Sequence, residues 1–445
     1  MKSQIVALAL LALLSVGLNP AQAEVWTAEN VWSAEFEDAY RDWVRDHFNK
    51  DIYMNDVDAD GSPNPLFGLR PDCADTVYSA RILFAFKNKL PVAFNDPTGG
   101  SIYVSNKMSR WDKTLDQTDR LRKFLNYVYD NMGTHNLRLD TFPLPISAKF
   151  IRPGAVLVTV KKNHHSWTLK NVNEAGIPYF VYSTVGRSAK GDPQLLLDRE
   201  TWPMASWVFE GNHTVTSGAG FRFWRNEEDL TKSVLEVPNS SDEQFRVPLR
   251  SWITSIQKII AVRDETKRAK LDRLTSAACK YLEFRAKAVK ESDKFMTNNI
   301  FACIDEKTYD DFSTPGRDRQ WFIDILNLRI GYQDWKLSTE YDPNDAINSK
   351  LAKVFPFTEL TAEEENTLMQ EQVVDDDSIC SIEYDTDQTL DLAEAKRRLL
   401  NNQLSNNPLD KLAVRWGSEA RLETDAAATC PSWQPWAPNY NESLY

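Results

Sequence analysis

The apolar residues of this chain change their period twice, and that constrains the fold more than any other feature. Over residues 29–50 they recur at helical spacing, with Trp32, Phe36, Tyr40, Trp43, Val44 and Phe48 along one stripe. A second helix is predicted from Cys73 to Lys89, with Asp72 as its cap and Leu90-Pro91 as its stop, and a third over 108–131. Between residues 152 and 186 the period falls to two. "RPGAVLVTVKKNHHSWTLKNV" and "GIPYFVYSTVG" are rich in strand formers and meet at "NEAG", a hairpin signal. Residues 202–225 point to further strands and aromatic loops. Beyond about residue 240 the pattern is charged and helical again, over 246–298 with a break inside and over "DLAEAKRRLLNNQLS". Helices, then a small antiparallel sheet, then helices predict an α+β fold. The expected division is a mixed domain over residues 24–235 and a largely helical, disulfide-bearing module over 236–445.

The first 23 residues stand apart. Met1-Lys2 is followed by an almost wholly apolar run from Ile5 to Leu18, and Ala21-Gln22-Ala23 is a small-x-small cleavage site. This pattern predicts a signal peptide cut after Ala23 and a periplasmic or secreted protein. No later stretch approaches the ~20 apolar residues of a membrane span. The formal charge is -12, or -13 once Lys2 is removed, which argues against a nucleic-acid partner. The oligomeric state is not legible.

An exported chain favours disulfides, and five cysteines leave one over. Cys279, Cys303, Cys380 and Cys430 share one half of the chain, while Cys73 is alone in the other. Two downstream bridges and one thiol at Cys73 are expected. Cys279–Cys303 with Cys380–Cys430 is the pairing that an antiparallel helix pair and a tied-back tail would make, one of three that four cysteines allow.

A thiol at a helix start is where an acyl-transfer nucleophile belongs. The helix dipole and the exposed N–H groups there favour a thiolate, and the same groups can hold an oxyanion. Such a thiol needs a base, usually histidine. Of five histidines, His164 and His165 adjoin at the head of a strand, "NHHSWTLKNV". Alternation puts His165 with Trp167 and Leu169 and puts His164 with Ser166 and Thr168. The first face is the apolar one and is expected to pack on the Cys73 helix, which makes His165 the candidate base, with His164 the alternative should the strand register be off by one. Ser183, on the next strand, is the candidate third member that orients the imidazole. Asp75 is the alternative, although an exposed side chain is its simpler reading. Asp56, Asp58, Asp60 and Gly61 open like a calcium loop, but Phe67 stands where its bidentate Glu would be. No serine-hydrolase, zinc-protease or nucleotide motif is present, and no cofactor or metal is expected.

Taken in order, "DCADTVYSARILFAF", "RPGAVLVTV" and "HHSWTLKNVNEAGIPYFVYST" resemble the papain-like fold as arranged in the NlpC-type cell-wall peptidases, over about residues 65–190. In that family an Asp-Cys-Ser-Gly starts the helix, a Pro-Gly-Asp precedes a strand and a histidine leads the next. Here Ala74-Asp75 stands for Ser-Gly and Ala155 for Asp. "LPVAF" after the Cys helix, with "HSW", is also similar to the transglutaminase-like pattern. The resemblance implies a cysteine peptidase or amidase acting on peptides of the cell wall. The alternatives are a transglutaminase-like enzyme and a non-catalytic envelope protein that keeps the scaffold for binding.

Overall fold

In the computed structural model the described residues are 24–58, 60–100, 103–159, 165–183, 196–298, 312, 314–368 and 377–420. The expected signal peptide, His164, Cys303 and Cys430 lie outside them. The fold mixes α and β around an antiparallel sheet. Helices α1 (Ala34–Asp46), α2 (Cys73–Lys87), α3 (Gln117–Asn131) and α4 (Thr134–Asp140) come first. Strands β1 (Ala93–Phe94) and β2 (Val104–Ser105) form a small ribbon between α2 and α3.

The main sheet holds β3 (Thr141–Pro143), β4 (Val156–Val158), β5 (Ser166–Val172), β6 (Pro178–Tyr182), β7 (Leu197–Glu200) and β8 (Gly220–Trp224). Their order is β3-β8-β4-β5-β6-β7, and each pair is antiparallel. The predicted hairpin is β5–β6. Its turn is closed at Gly176, whose φ of 72° is left-handed backbone that glycine adopts without strain. Strand β8 returns from far along the chain to lie between β3 and β4.

Helix α2 sits beneath this sheet. Asp72 caps it by accepting from the N–H groups of Ala74 at 2.8 Å and Asp75 at 3.0 Å, and Asp75 completes a capping box by accepting from the Asp72 N–H at 2.9 Å. Every residue from Ala74 to Ala85 is buried, so α2 has no solvent face. Asp75 is therefore enclosed, against its expected exposure, because the capping box holds it inward. Helix α3 begins nine residues later than its apolar pattern predicts, at the Asp116 cap. The acidic loop before α2 is pinned by an ion pair of Asp58 with Lys87 at 2.5 Å.

The short α5 (Ala205–Phe209) lies between β7 and β8, and after the sheet come α6 (Trp252–Ile260), the long α7 (Lys267–Asn298), α8 (Pro315–Lys336), a hairpin of β9 (Ser381–Asp385) with β10 (Gln388–Asp391), and α9 (Leu392–Leu400). The predicted break inside 246–298 is the gap between α6 and α7. One continuous buried cluster runs from Val25 to Trp416. The helical half is tied to the sheet by a buried pair, Arg199 on β7 with Asp324 on α8, at 2.5 Å. The disulfide joins Cys279 on α7 to Cys380 before β9, with Cα atoms 6.0 Å apart. That corrects the expected Cys279–Cys303 and Cys380–Cys430 pairing. The contact that decides it is the one between α7 and the β9–β10 hairpin, a tertiary neighbour that the spacing of cysteines does not encode.

Candidate functional site around Cys73

Cys73 keeps its thiol and is mostly enclosed. Its sulfur lies 3.3 Å from the Oγ1 of Thr134, the first residue of α4. On the sheet side it faces the head of β5, where Ser166 is near enough to act on the thiol although its hydroxyl makes no hydrogen bond among the described residues. Burial, with the Asp72 carboxylate behind it, pushes the thiol up to about 11, while the Thr134 hydroxyl and the polar groups of Ser166 pull the other way. The same Asp72 carboxylate accepts two N–H groups of the helix start. The amides expected to favour a thiolate are thus partly taken by the cap.

The sulfur sits on the Ser166 side of β5. Ser166 is wholly buried and Thr168 is 1% exposed, so this face is as covered as the aromatic one. The expectation that the apolar face packs on α2 is corrected on that account. Both faces of β5 are inside the protein, and polarity does not tell which one meets the helix. The residues opposite Thr168 and Leu169 are Val181 and Phe180. Continuing that register sets Ser183 across from Ser166, and Ser183 is wholly buried.

His165 goes the other way. Its ring lies 5.8 Å from Tyr182, 6.0 Å from Trp207 of α5 and 6.1 Å from Trp167, edge-on to each. Trp167 in turn stacks on Tyr182 at 4.5 Å and meets Phe180 at 5.0 Å. Burial in this layer lowers the imidazole to about 4, so the ring is neutral at pH 7. The backbone of His165 continues the β4–β5 ladder, its carbonyl accepting from the Thr159 N–H at 2.8 Å. Of the three predicted residues, Cys73 and Ser183 share one side of the β5–β6 hairpin and His165 occupies the other. His164, the second histidine of the pair, lies outside the described residues.

Two neighbours of the sulfur went unread in the sequence. Ser166 is legible only once the face of β5 is known. Thr134 carries no local signal, because its place depends on how α4 folds back on α2. Among the described residues no group of three or more His, Cys, Asp or Glu side chains is placed to hold a metal. No described helix is long and apolar enough to cross a membrane. Compared with known proteins, the chain matches no family model, no curated protein and no solved structure.

Proposed function

We propose that this chain is an exported cysteine hydrolase with a papain-like site, in which Cys73 attacks an amide carbonyl of a cell-wall peptide. The single observation that carries the reading is the setting of the sulfur. It lies at the first turn of a buried helix, against Thr134 and the Ser166 head of a strand that follows two histidines. A base that reaches this side of β5 must have the parity of Ser166, because side chains alternate along an extended chain. His165 does not have it, since its ring lies in the aromatic layer on the other side. We therefore propose the neighbouring His164 as the base in place of His165. Ser183, of the same parity across the hairpin, is the group that orients it.

The proposed chemistry is acyl transfer. The imidazole of His164 takes the Cys73 proton as the sulfur bonds to the carbonyl carbon. The tetrahedral intermediate collapses, and the amine leaves with that proton. Water, deprotonated by the same imidazole, then cleaves the thioester and restores the thiol. A transglutaminase-like variant differs only in using an amine where water enters.

One observation favours a second reading. A thiol held near 11, with the helix-start amides shared by Asp72, suits an envelope protein that binds without catalysis. Alkylation of Cys73 by iodoacetamide across pH separates the two. The hydrolase reading expects rapid labelling at neutral pH that His164→Ala abolishes and His165→Ala spares. Labelling that climbs only toward pH 11, unchanged by His164→Ala, refutes catalysis and leaves the binding reading.

A further inference from the structure

On the α4 side of the sheet lies a cavity of about 320 Å³ between that helix, the edge of β8 and the segment that follows it. Three arginines line it: Arg138 on α4, and Arg222 and Arg225 on or just after β8. Arg222 is wholly buried. Its Nε donates to the Thr141 hydroxyl at 2.7 Å, and its Nη2 donates to the carbonyls of Thr141 at 2.8 Å and Arg138 at 3.1 Å. Its Nη1 is buried and has no partner among the described residues.

Among the described residues several buried guanidinium groups meet a carboxylate, as Arg199 does with Asp324, Arg285 with Asp318 and Arg329 with Glu365, while the buried Arg41 makes no ion pair and donates to the Pro153 carbonyl. Arg222 has none. Arg138 and Arg225 make no ion pair among the described residues either, although Arg225 feels the Asp140 and Asp229 carboxylates and donates its Nε and Nη1 to backbone carbonyls. Burial, with the neighbouring charge of Arg225 behind it, lowers Arg222 to about 9. An uncompensated buried cation is costly, and the protein supplies only neutral acceptors to it.

We propose that this cavity binds an organic carboxylate, whose head group meets Arg222 Nη1 and Arg225 and whose short aliphatic body fills the rest. The wall chooses the ligand class. The Nε and Nη2 edge of Arg222, which would grip a carboxylate or a phosphate as a fork, is already spent on Thr141 and Arg138, so an anion of either kind has only Nη1 of this side chain to meet. The remaining wall carries Leu139, Val215, Leu230 and Val234, apolar surface that a bare inorganic anion leaves uncovered. The proposal does not depend on the chemistry of Cys73.

Calorimetric titration of the whole protein tests it with four probes: acetate, 4-methylpentanoate, the neutral 4-methylpentanamide and inorganic phosphate. The expected result is saturable binding of 4-methylpentanoate, about tenfold or more tighter than acetate because the extra methylenes are buried, with no binding of the amide. Arg222→Met is expected to weaken that binding at least tenfold. If this variant fails to fold, Leu139→Glu serves instead. Leu139 is 44% exposed on α4, so the change leaves the core intact and places a competing carboxylate at the mouth. The proposal is overturned if the amide binds as well as the acid, if phosphate matches 4-methylpentanoate, if no probe binds, or if Leu139→Glu binds undiminished. Cys73→Ser is expected to titrate like the unaltered protein, so failure here and failure of the hydrolase reading are separate results.

Discussion

Ser166 and Trp167 are adjacent in the chain and both buried, yet they look into different chemistry. Behind Ser166 are a thiol and hydroxyls, in a layer between the sheet and α2. Behind Trp167 is an aromatic slab that runs through Tyr182, Phe180 and Trp207 and takes in the His165 ring. The first side holds groups that can exchange protons. The second contributes packing, and it holds its histidine neutral. The difference teaches that a histidine beside a cysteine in a resembling motif is not thereby its partner. One residue of strand parity separates the side that faces the thiol from the side that holds a core ring.

The largest expected effect lies on the aromatic side. Trp167→Ala removes a ring that is 7% exposed and stacked on Tyr182. It should cost ~3–5 kcal/mol in urea unfolding, as large-to-small changes in a packed core do. Ser166→Ala, one residue away, should cost only about 1 kcal/mol but should alter the labelling rate of Cys73. Equal stability losses at the two positions would break the contrast between the faces.

The second effect is a pH dependence that belongs to His165. Its folded value of about 4 lies below the ~6.5 of an unfolded histidine, so the unfolded chain takes the proton first. The stability it contributes is whole above about 6.5 and is lost as pH falls toward 4. Allowing for its partial exposure, the loss is ~1–2 kcal/mol. His165→Phe should remove that slope and retain the packing. Asp140, whose buried carboxyl is raised to about 6, acts in the opposite sense, since its contribution is present at low pH and lost as pH rises through 6. It is common to both proteins, so the difference between their unfolding curves at pH 7 and pH 4.5 isolates the ring. No difference would mean that His165 is solvated and the two faces are less distinct than their contacts imply.

Much of this arrangement is legible in the sequence, and the remainder fails for definable reasons. Asp72 and Leu90-Pro91 bound α2 because capping and stopping are local acts. "NEAG" marks the β5–β6 turn because glycine supplies the left-handed backbone there. The face of β5 that meets α2 is misread because alternation reveals a buried face only when the other side is wet, and here Ser166 and Thr168 are as dry as Trp167 and Leu169. Strand β8, the Thr134 contact and the Cys279–Cys380 bridge join segments far apart in the chain, and no local pattern carries such pairings. The cavity at Arg222 is hidden for the same reason, since "GFRFW" alternates like any half-buried strand.

The smallest expected effect is on the thiol itself. The Thr134 hydroxyl is 3.3 Å from the sulfur and favours the thiolate there. Thr134→Val keeps the shape of the side chain and removes the donor. The thiol, already held high by burial and Asp72, should rise further, and labelling by iodoacetamide at a fixed pH should slow a few-fold while stability changes by about 1 kcal/mol or less. Asp72→Asn acts in the opposite direction on the same sulfur. It removes the carboxylate charge that raises the thiol and retains a side chain that can still cap α2. Labelling of that variant should quicken. If both changes leave the rate untouched, the sulfur is governed by a group outside this pair, and the His164→Ala profile then identifies it.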